Sequence, residues 1–234
     1  MITIAKLWIL PVDTVTSDAS EEGRRYITED KRAKLLRFRQ EEDRQRGLWA
    51  ELLVRSVICR ELAIANRAIV FAYNAYGKPE LAGETGLQFN VSHSGRWVVC
   101  LTDEHPVGVD IEQIAPLDRE VAHSVFTEAE VQYVEGATHS ADRHNRFFQV
   151  WTAKESCIKA VGKGLSLPLQ NFSVVPAIQE SGTAIIEGES WQLRQLVIDP
   201  AYRLTACCKP QSSWNGMEQV DAAKILSKIG PGIY

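Results

Sequence analysis

No stretch of the chain is apolar for the ~20 residues that a membrane-spanning helix needs, so no transmembrane segment is expected. The opening run MITIAKLWILPVD carries Lys6 within it, with no basic leader and no small-residue cleavage site, so it is expected to be a first strand and not a signal peptide. Cysteine is scarce and odd in number. Cys59, Cys100, Cys157, Cys207 and Cys208 make no CxxC pair and no zinc spacing. They are expected to be reduced, buried thiols of a cytoplasmic protein. Positive charge is not in excess either: 26 Lys and Arg face 30 Asp and Glu, a net charge of −4, which argues against bulk nucleic-acid binding. No low-complexity segment or internal repeat is present. What is there is 45% hydrophobic residues in 234, enough for a buried core in one large or two small domains.

Periodicity orders the chain. Ile2, Ile4 and Leu7 to Leu10 predict a strand ending at Pro11. From Glu29 to Ala63 the pattern is helical, with Thr28 as N-cap. Asn74 to Pro79 is a turn, Phe89–Ser92 and Trp97–Thr102 are strands, and Gly108–Ile114 is another. Arg119–Phe126 and Thr127–Val134 read as helices, the second opening on a Thr127/Glu130 capping box. The strongest helix runs from Asn145 to Val161 and stops at Gly162. Strands are expected at Phe172–Val175, Ala184–Ile186, Trp191–Ile198 and Leu204–Cys208, with a short helix at Val220–Lys228 in a polar tail. This order predicts an α+β fold of two halves, residues 1–105 and 106–234, divided where Asp-Glu-His-Pro breaks the pattern.

Four groups of residues carry chemistry. In Gly108-Val109-Asp110-Ile111-Glu112, strand spacing puts Asp110 and Glu112 on one face and Val109 and Ile111 on the other. Paired carboxylates repel unless a cation or proton joins them, and all-oxygen ligands suit a hard ion such as Mg²⁺. Alone, the pattern reads more readily as the wet face of an amphipathic strand. In Trp151-Thr152-Ala153-Lys154-Glu155-Ser156-Cys157-Ile158-Lys159, helical spacing stacks Trp151, Glu155 and Lys159 on one stripe. That is either a surface Glu–Lys pair or a third carboxylate with a cation one turn beyond it. Ser92-His93-Ser94-Gly95 is either a hairpin with capping hydroxyls or an anion-binding turn. It is not a Gly-x-Ser-x-Gly elbow, which argues against a serine hydrolase. The basic run Lys31, Arg32, Lys34, Arg37, Arg39, Arg44 and Arg46 is a solvated helix face or a pocket for a polyanion.

Together and in this order, with the two acidic motifs about forty residues apart, these segments resemble the phosphopantetheinyl transferase superfamily. The length, the Phe89–Trp97 segment, the Tyr76-Gly77-Lys78-Pro79 turn and Gly162-Lys163-Gly164-Leu165-Ser166-Leu167-Pro168 resemble its larger, surfactin-synthetase-activating type. The resemblance runs from about Ile27 to Cys208. It implies a pseudo-twofold monomer of two similar α+β halves. Each half would have an antiparallel sheet packed on helices, and the active site would lie at their interface. It implies transfer of 4'-phosphopantetheine from coenzyme A to a serine of an apo acyl or peptidyl carrier protein, releasing 3',5'-ADP. Asp110, Glu112 and Glu155 match magnesium ligands, with Mn²⁺ the alternative ion. Glu155 is also the candidate base. Lys159 matches the lysine at the phosphates. Lys31, Lys34, Ser92, His93 and the Gly77-Lys78-Pro79 turn match positions that hold the nucleotide. Gly47 departs from the threonine of some relatives, which shifts the 3'-phosphate onto Arg46, Lys31 and Lys34. Cys157 stands where an aromatic is frequent. Residues 117–134, with Val121, Val125 and Phe126, are the expected carrier-docking surface. The rival functions are a magnesium-dependent phosphohydrolase using the same carboxylates and a non-enzymatic module docking an acidic partner.

Overall fold

The computed structural model describes residues 4–83, 85–116 and 119–230. In the first half, β1 (Ile4–Pro11), α1 (Ser17–Gly23), α2 (Glu29–Leu35) and α3 (Glu41–Leu62) precede β2 (Phe71–Tyr73), β3 (Pro79–Leu81), β4 (Gln88–Ser94) and β5 (Trp97–Asp103). In the second half, β6 (Gly108–Gln113), α4 (Arg119–Val125), α5 (Glu128–Glu135) and α6 (Ser140–Val161) lead to β7 (Thr183–Ile186), β8 (Glu189–Leu196) and β9 (Tyr202–Cys208). β10 (Ser213–Gln219) and α7 (Ala222–Ile229) close the chain. The sheets have strand orders β10-β1-β5-β4 and β6-β9-β8-β7, with β2–β3 a separate hairpin.

Alternation along the strands dictates four layers. In β1, Trp8 and Leu10 join α3 residues Leu48, Trp49, Leu52 and Leu53 in one core. Leu7 and Ile9, on the opposite face, join Val109, Ile111, Leu204 and Ala206 of the other sheet. A third core sets Phe147, Val150, Ala153 and Ile158 of α6 against Trp191, Leu193 and Cys207. The order is therefore helix, sheet, sheet, helix, and the period of two sends each strand's residues to a helix on one side and a sheet on the other. The two long helices, each of 22 residues, hold equivalent places in the two halves.

β4 is polar on its inner face. Phe89 and Val91 pack toward α3, while Asn90, Ser92 and Ser94 face β6. Their side chains accept the backbone N–H groups of Val109 (2.9 Å), Ile111 (3.4 Å) and Gln113 (3.1 Å). The constant offset of 19 residues means that β4 and β6 run in the same direction. Side chains thus satisfy donors that a backbone ladder would otherwise use.

Three sequence expectations change. The helical pattern from Glu29 to Ala63 is two helices, because the chain folds back after α2 so that Leu35 and Phe38 both cover Gly47. Phe172–Val175 is not a strand; it wraps a buried ion pair between Lys154 and Glu130, 2.9 Å apart and both fully buried. The polar tail contains β10, which pairs parallel to β1 in an otherwise antiparallel sheet, while α7 packs on α3 and α1. Glu218 holds this strand through Lys6 and Arg60, each at 2.8 Å.

The capping box forms as expected, and Glu130 does more than cap. One oxygen accepts Thr127 N–H and meets Lys154; the other accepts Val174 N–H. Lys154 also donates to Leu169 O (2.6 Å) and Phe172 O (2.7 Å). Removing one partner strands a buried charge. Glu130→Ala should cost about 3–5 kcal/mol in urea unfolding; a loss below about 1 kcal/mol, the level of an exposed pair, would contradict this.

Candidate active site

Gly108 lets α6 lie directly on β6. A Cβ there would sit 1.9 Å from Ser156 O and 2.4 Å from Ala160 N, both helix backbone, so only hydrogen fits. This contact brings the Asp110/Glu112 face of the strand against the Glu155/Lys159 stripe of the helix. Trp151, one turn before Glu155, lies near enough to Glu112 to stabilise its carboxylate slightly.

Lys159 is the hub. Its Nζ lies 2.6 Å from Asp110 Oδ1, 3.2 Å from Val109 O and 3.2 Å from Ser92 Oγ. Ser92 Oγ in turn donates to Asp110 Oδ1 at 2.9 Å. Asp110 is almost wholly buried, and its Oδ2 has no hydrogen-bond partner. Ser94 Oγ donates to Glu112 Oε2 at 2.8 Å. Burial first, and then the charge of Asp110, raise the Glu112 and Glu155 carboxyls above their ordinary value. Ser94 and Lys159 pull Glu112 partly back; Lys159 does the same for Glu155.

Around this centre sit the other sequence candidates. His93 is exposed by area but crowded; desolvation and then the Arg46 guanidinium hold its imidazole below the usual range. Arg46 pairs with Asp43 and donates to Gly95 O at 3.2 Å. Lys31 meets Glu51 at 3.2 Å, and Lys34 lies over the Tyr73 ring, 5.6 Å from its centroid. Both lysines stand on α2. At Gly47 an added Cβ would meet Leu35 Cδ2 at 2.7 Å, so a larger residue needs Leu35 to move. Gly77 supplies the positive φ of its turn and Pro79 begins β3. The Lys78 ammonium points to main-chain carbonyls of the second half, Val107 O and Ala160 O.

Residue-by-residue reading missed Asn90 and Ser94, which tie β4 to β6, and the pairing of Lys154 with Glu130. The signal for the first was present: Asn90, Ser92 and Ser94 alternate with Phe89 and Val91 along one strand.

The chemistry available is that of three carboxylates sharing one ammonium. Among the described residues no three His, Cys, Asp or Glu side chains are gathered closely enough to hold an ion as they stand; Lys159 is the cation at Asp110 in this arrangement.

Comparison with known proteins is direct. A family described as "4'-phosphopantetheinyl transferase superfamily" matches residues 106–207, and one described as "4'-phosphopantetheinyl transferase, N-terminal" matches residues 16–105. The chain is 36% identical to 4'-phosphopantetheinyl transferase Sfp of Bacillus subtilis (strain 168), over 82% of this chain and 87% of that protein. A second Bacillus subtilis 4'-phosphopantetheinyl transferase is 34% identical over 89% and 94%. The psf-1 transferase of Bacillus pumilus is 33% identical over 89% and 90%.

The crowded acids set a pH dependence. Carboxyls that bind protons more readily folded than unfolded cost nothing below their ordinary value of 4.5, and stability falls as pH rises from there through the raised folded values. In metal-free buffer Glu155→Gln should therefore gain stability relative to the parent as pH goes from about 4 to 7. Melting curves at several pH values check this, and a difference that does not change with pH would contradict it.

Proposed function

The chain belongs to the 4'-phosphopantetheinyl transferase superfamily, and we propose that it moves the 4'-phosphopantetheine arm of coenzyme A onto a serine of an apo carrier protein. The observation that carries this reading is the meeting of Asp110, Glu112, Glu155 and Lys159 where β6 and α6 press together.

The side chains fit a divalent ion. Asp110 Oδ2 is buried without a partner, and Glu112 and Glu155 are raised by burial and by Asp110, which a cation would relieve. We assign Asp110, Glu112 and Glu155 as its ligands. All-oxygen donors suit Mg²⁺, with Mn²⁺ the alternative. When bound, the ion offsets charge on the pyrophosphate.

The chain's own residues do the rest by positioning. The carrier serine oxygen forms a bond to the phosphorus nearest the pantetheine, and the bond from that phosphorus to 3',5'-ADP breaks. Glu155 takes the serine proton, directly or through a water. Lys159 turns from Asp110 to the leaving phosphate and balances its charge. Lys31, Lys34, Arg46, Ser92 and His93 hold the phosphates outside the reacting bond, and the Gly77-Lys78-Pro79 turn holds the nucleotide.

The carrier is assigned to the α4–α5 side. Leu117 and Asp118 lie outside the described residues. Val121 is exposed there, whereas Phe126 is buried against Phe147, their ring centroids 4.9 Å apart, so Phe126 supports the surface from beneath. The five cysteines are free and buried, which fits a cytoplasmic setting. No described helix is long and apolar enough to cross a membrane. We take the working unit to be a monomer.

Incubation with coenzyme A, Mg²⁺ and a panel of apo carriers should add the phosphopantetheine mass to at least one carrier. Phosphate released from a small phosphoester with no carrier present would point to a hydrolase instead. Asp110→Ala and Lys159→Ala should each abolish transfer with circular dichroism unchanged; parental turnover in either refutes the assignment. Lys31→Ala and Lys34→Ala should weaken coenzyme A more than dephospho-coenzyme A, and an equal loss for both ligands would remove these lysines from the 3'-phosphate.

A further inference from the structure

The C-terminal end of α6 is capped by the opposite half of the molecule. A helix leaves its last carbonyls without intrahelical donors. Gly162, at φ +78°, ends α6, and its N–H bonds Ile158 O at 2.8 Å. Two more carbonyls at this end are met from the β2–β3 loop: Asn74 Nδ2 reaches Gly162 O at 2.8 Å and Lys78 Nζ reaches Ala160 O at 3.4 Å. The same ammonium also binds Val107 O at 3.1 Å, on the segment that enters β6. Asn74 shapes the loop as well, its Oδ1 accepting the N–H groups of Tyr76 (2.9 Å) and Lys78 (3.0 Å). The fit is close: a Cβ at Gly162 would lie 3.2 Å from both Asn74 Nδ2 and Lys78 Cδ.

We infer that Lys78 is a positioning residue: with Asn74 it clamps the strand start before Asp110 to the helix turn that carries Lys159, so that the two acidic motifs hold one relative placement. Three observations support this. Ala160 is the neighbour of Lys159, and Val107 lies three residues before Asp110, so one ammonium fixes both motif backbones. A cation at a helix C-terminus is favoured by the aligned peptide dipoles. Burial pushes the Lys78 ammonium down to about 8, a burden that a lysine merely capping a surface turn would not carry. The side chain is thereby spent on the protein, leaving only the backbone of the Gly77-Lys78-Pro79 turn for a nucleotide.

The activity arm of the test rests on the transferase reading; the exchange arm does not. Lys78→Met and Asn74→Ala are made in the full chain. Amide hydrogen exchange without ligand should rise severalfold in peptides covering 105–112 and 156–163, with β1 and α3 unchanged as the control for global folding. At saturating coenzyme A, kcat should fall by about 10- to 100-fold while KM for coenzyme A stays within about twofold. A raised KM with unchanged kcat, or exchange that does not move in either variant, overturns the inference and returns the Lys78 side chain to the nucleotide. If the parent protein itself transfers nothing, the transferase reading fails and the exchange result alone decides the clamp.

Discussion

The architecture depends on three hydrogen bonds that no backbone ladder supplies. β4 and β6 are edge strands of different sheets, and β6 would leave three N–H groups without partners, two of them buried. Asn90, Ser92 and Ser94 meet them. Each such bond contributes about 1 kcal/mol net, but leaving a buried donor unmet costs ~1–3 kcal/mol, so the second quantity fixes the residue types. The polar face has a further consequence. The hydroxyls that satisfy β6 also touch its carboxylates, Ser92 at Asp110 and Ser94 at Glu112. The joint between the halves and the site are therefore one hydrogen-bonded network, and the site is held by the residues that hold the sheets together.

Charge divides along α6 by rotation. Successive helix residues point about 100° apart. Lys154 therefore turns into the second core, where Glu130 and two carbonyls surround its ammonium, while Glu155 turns toward Asp110 and Glu112. Adjacent charged residues of one motif thus serve separate ends. One locks the loop after α6 to the helix; the other adds to a crowded group of acids. Lys159, one turn further, is the only cation directly hydrogen-bonded to Asp110 among the described residues. It leaves one Asp110 oxygen unmet and two carboxyls raised, an arrangement that costs stability.

Much of the fold was legible because local periods are strong where one face is buried. β1, the β4–β5 hairpin and the Thr127 cap follow from alternation, turn residues and capping chemistry. α6 was recognised too, although it begins at Ser140, five residues before the expected start. That Asp110 and Glu112 share a face, and that Glu155 and Lys159 share another, followed from spacing alone. Elements held by distant partners were not legible. β10 has a weak pattern because its register comes from β1 and from Glu218 meeting Lys6 and Arg60. The break before α3 answers to Gly47, and the irregular 172–175 segment answers to Lys154. The direction of the Lys78 side chain was equally hidden, since its carbonyl partners lie in the other half of the chain.

The central claim is that acids from β6 and α6 form one ion-binding group and that Lys159 holds their place until a diphosphate arrives. The most direct test is a crystal structure with Mn²⁺ and coenzyme A, read by anomalous scattering. The account predicts a single manganese peak bounded by oxygens of Asp110, Glu112 and Glu155, with the Lys159 ammonium moved from Asp110 onto a phosphate. A manganese peak away from these three side chains, or Lys159 still paired with Asp110 beside a bound nucleotide, would contradict it.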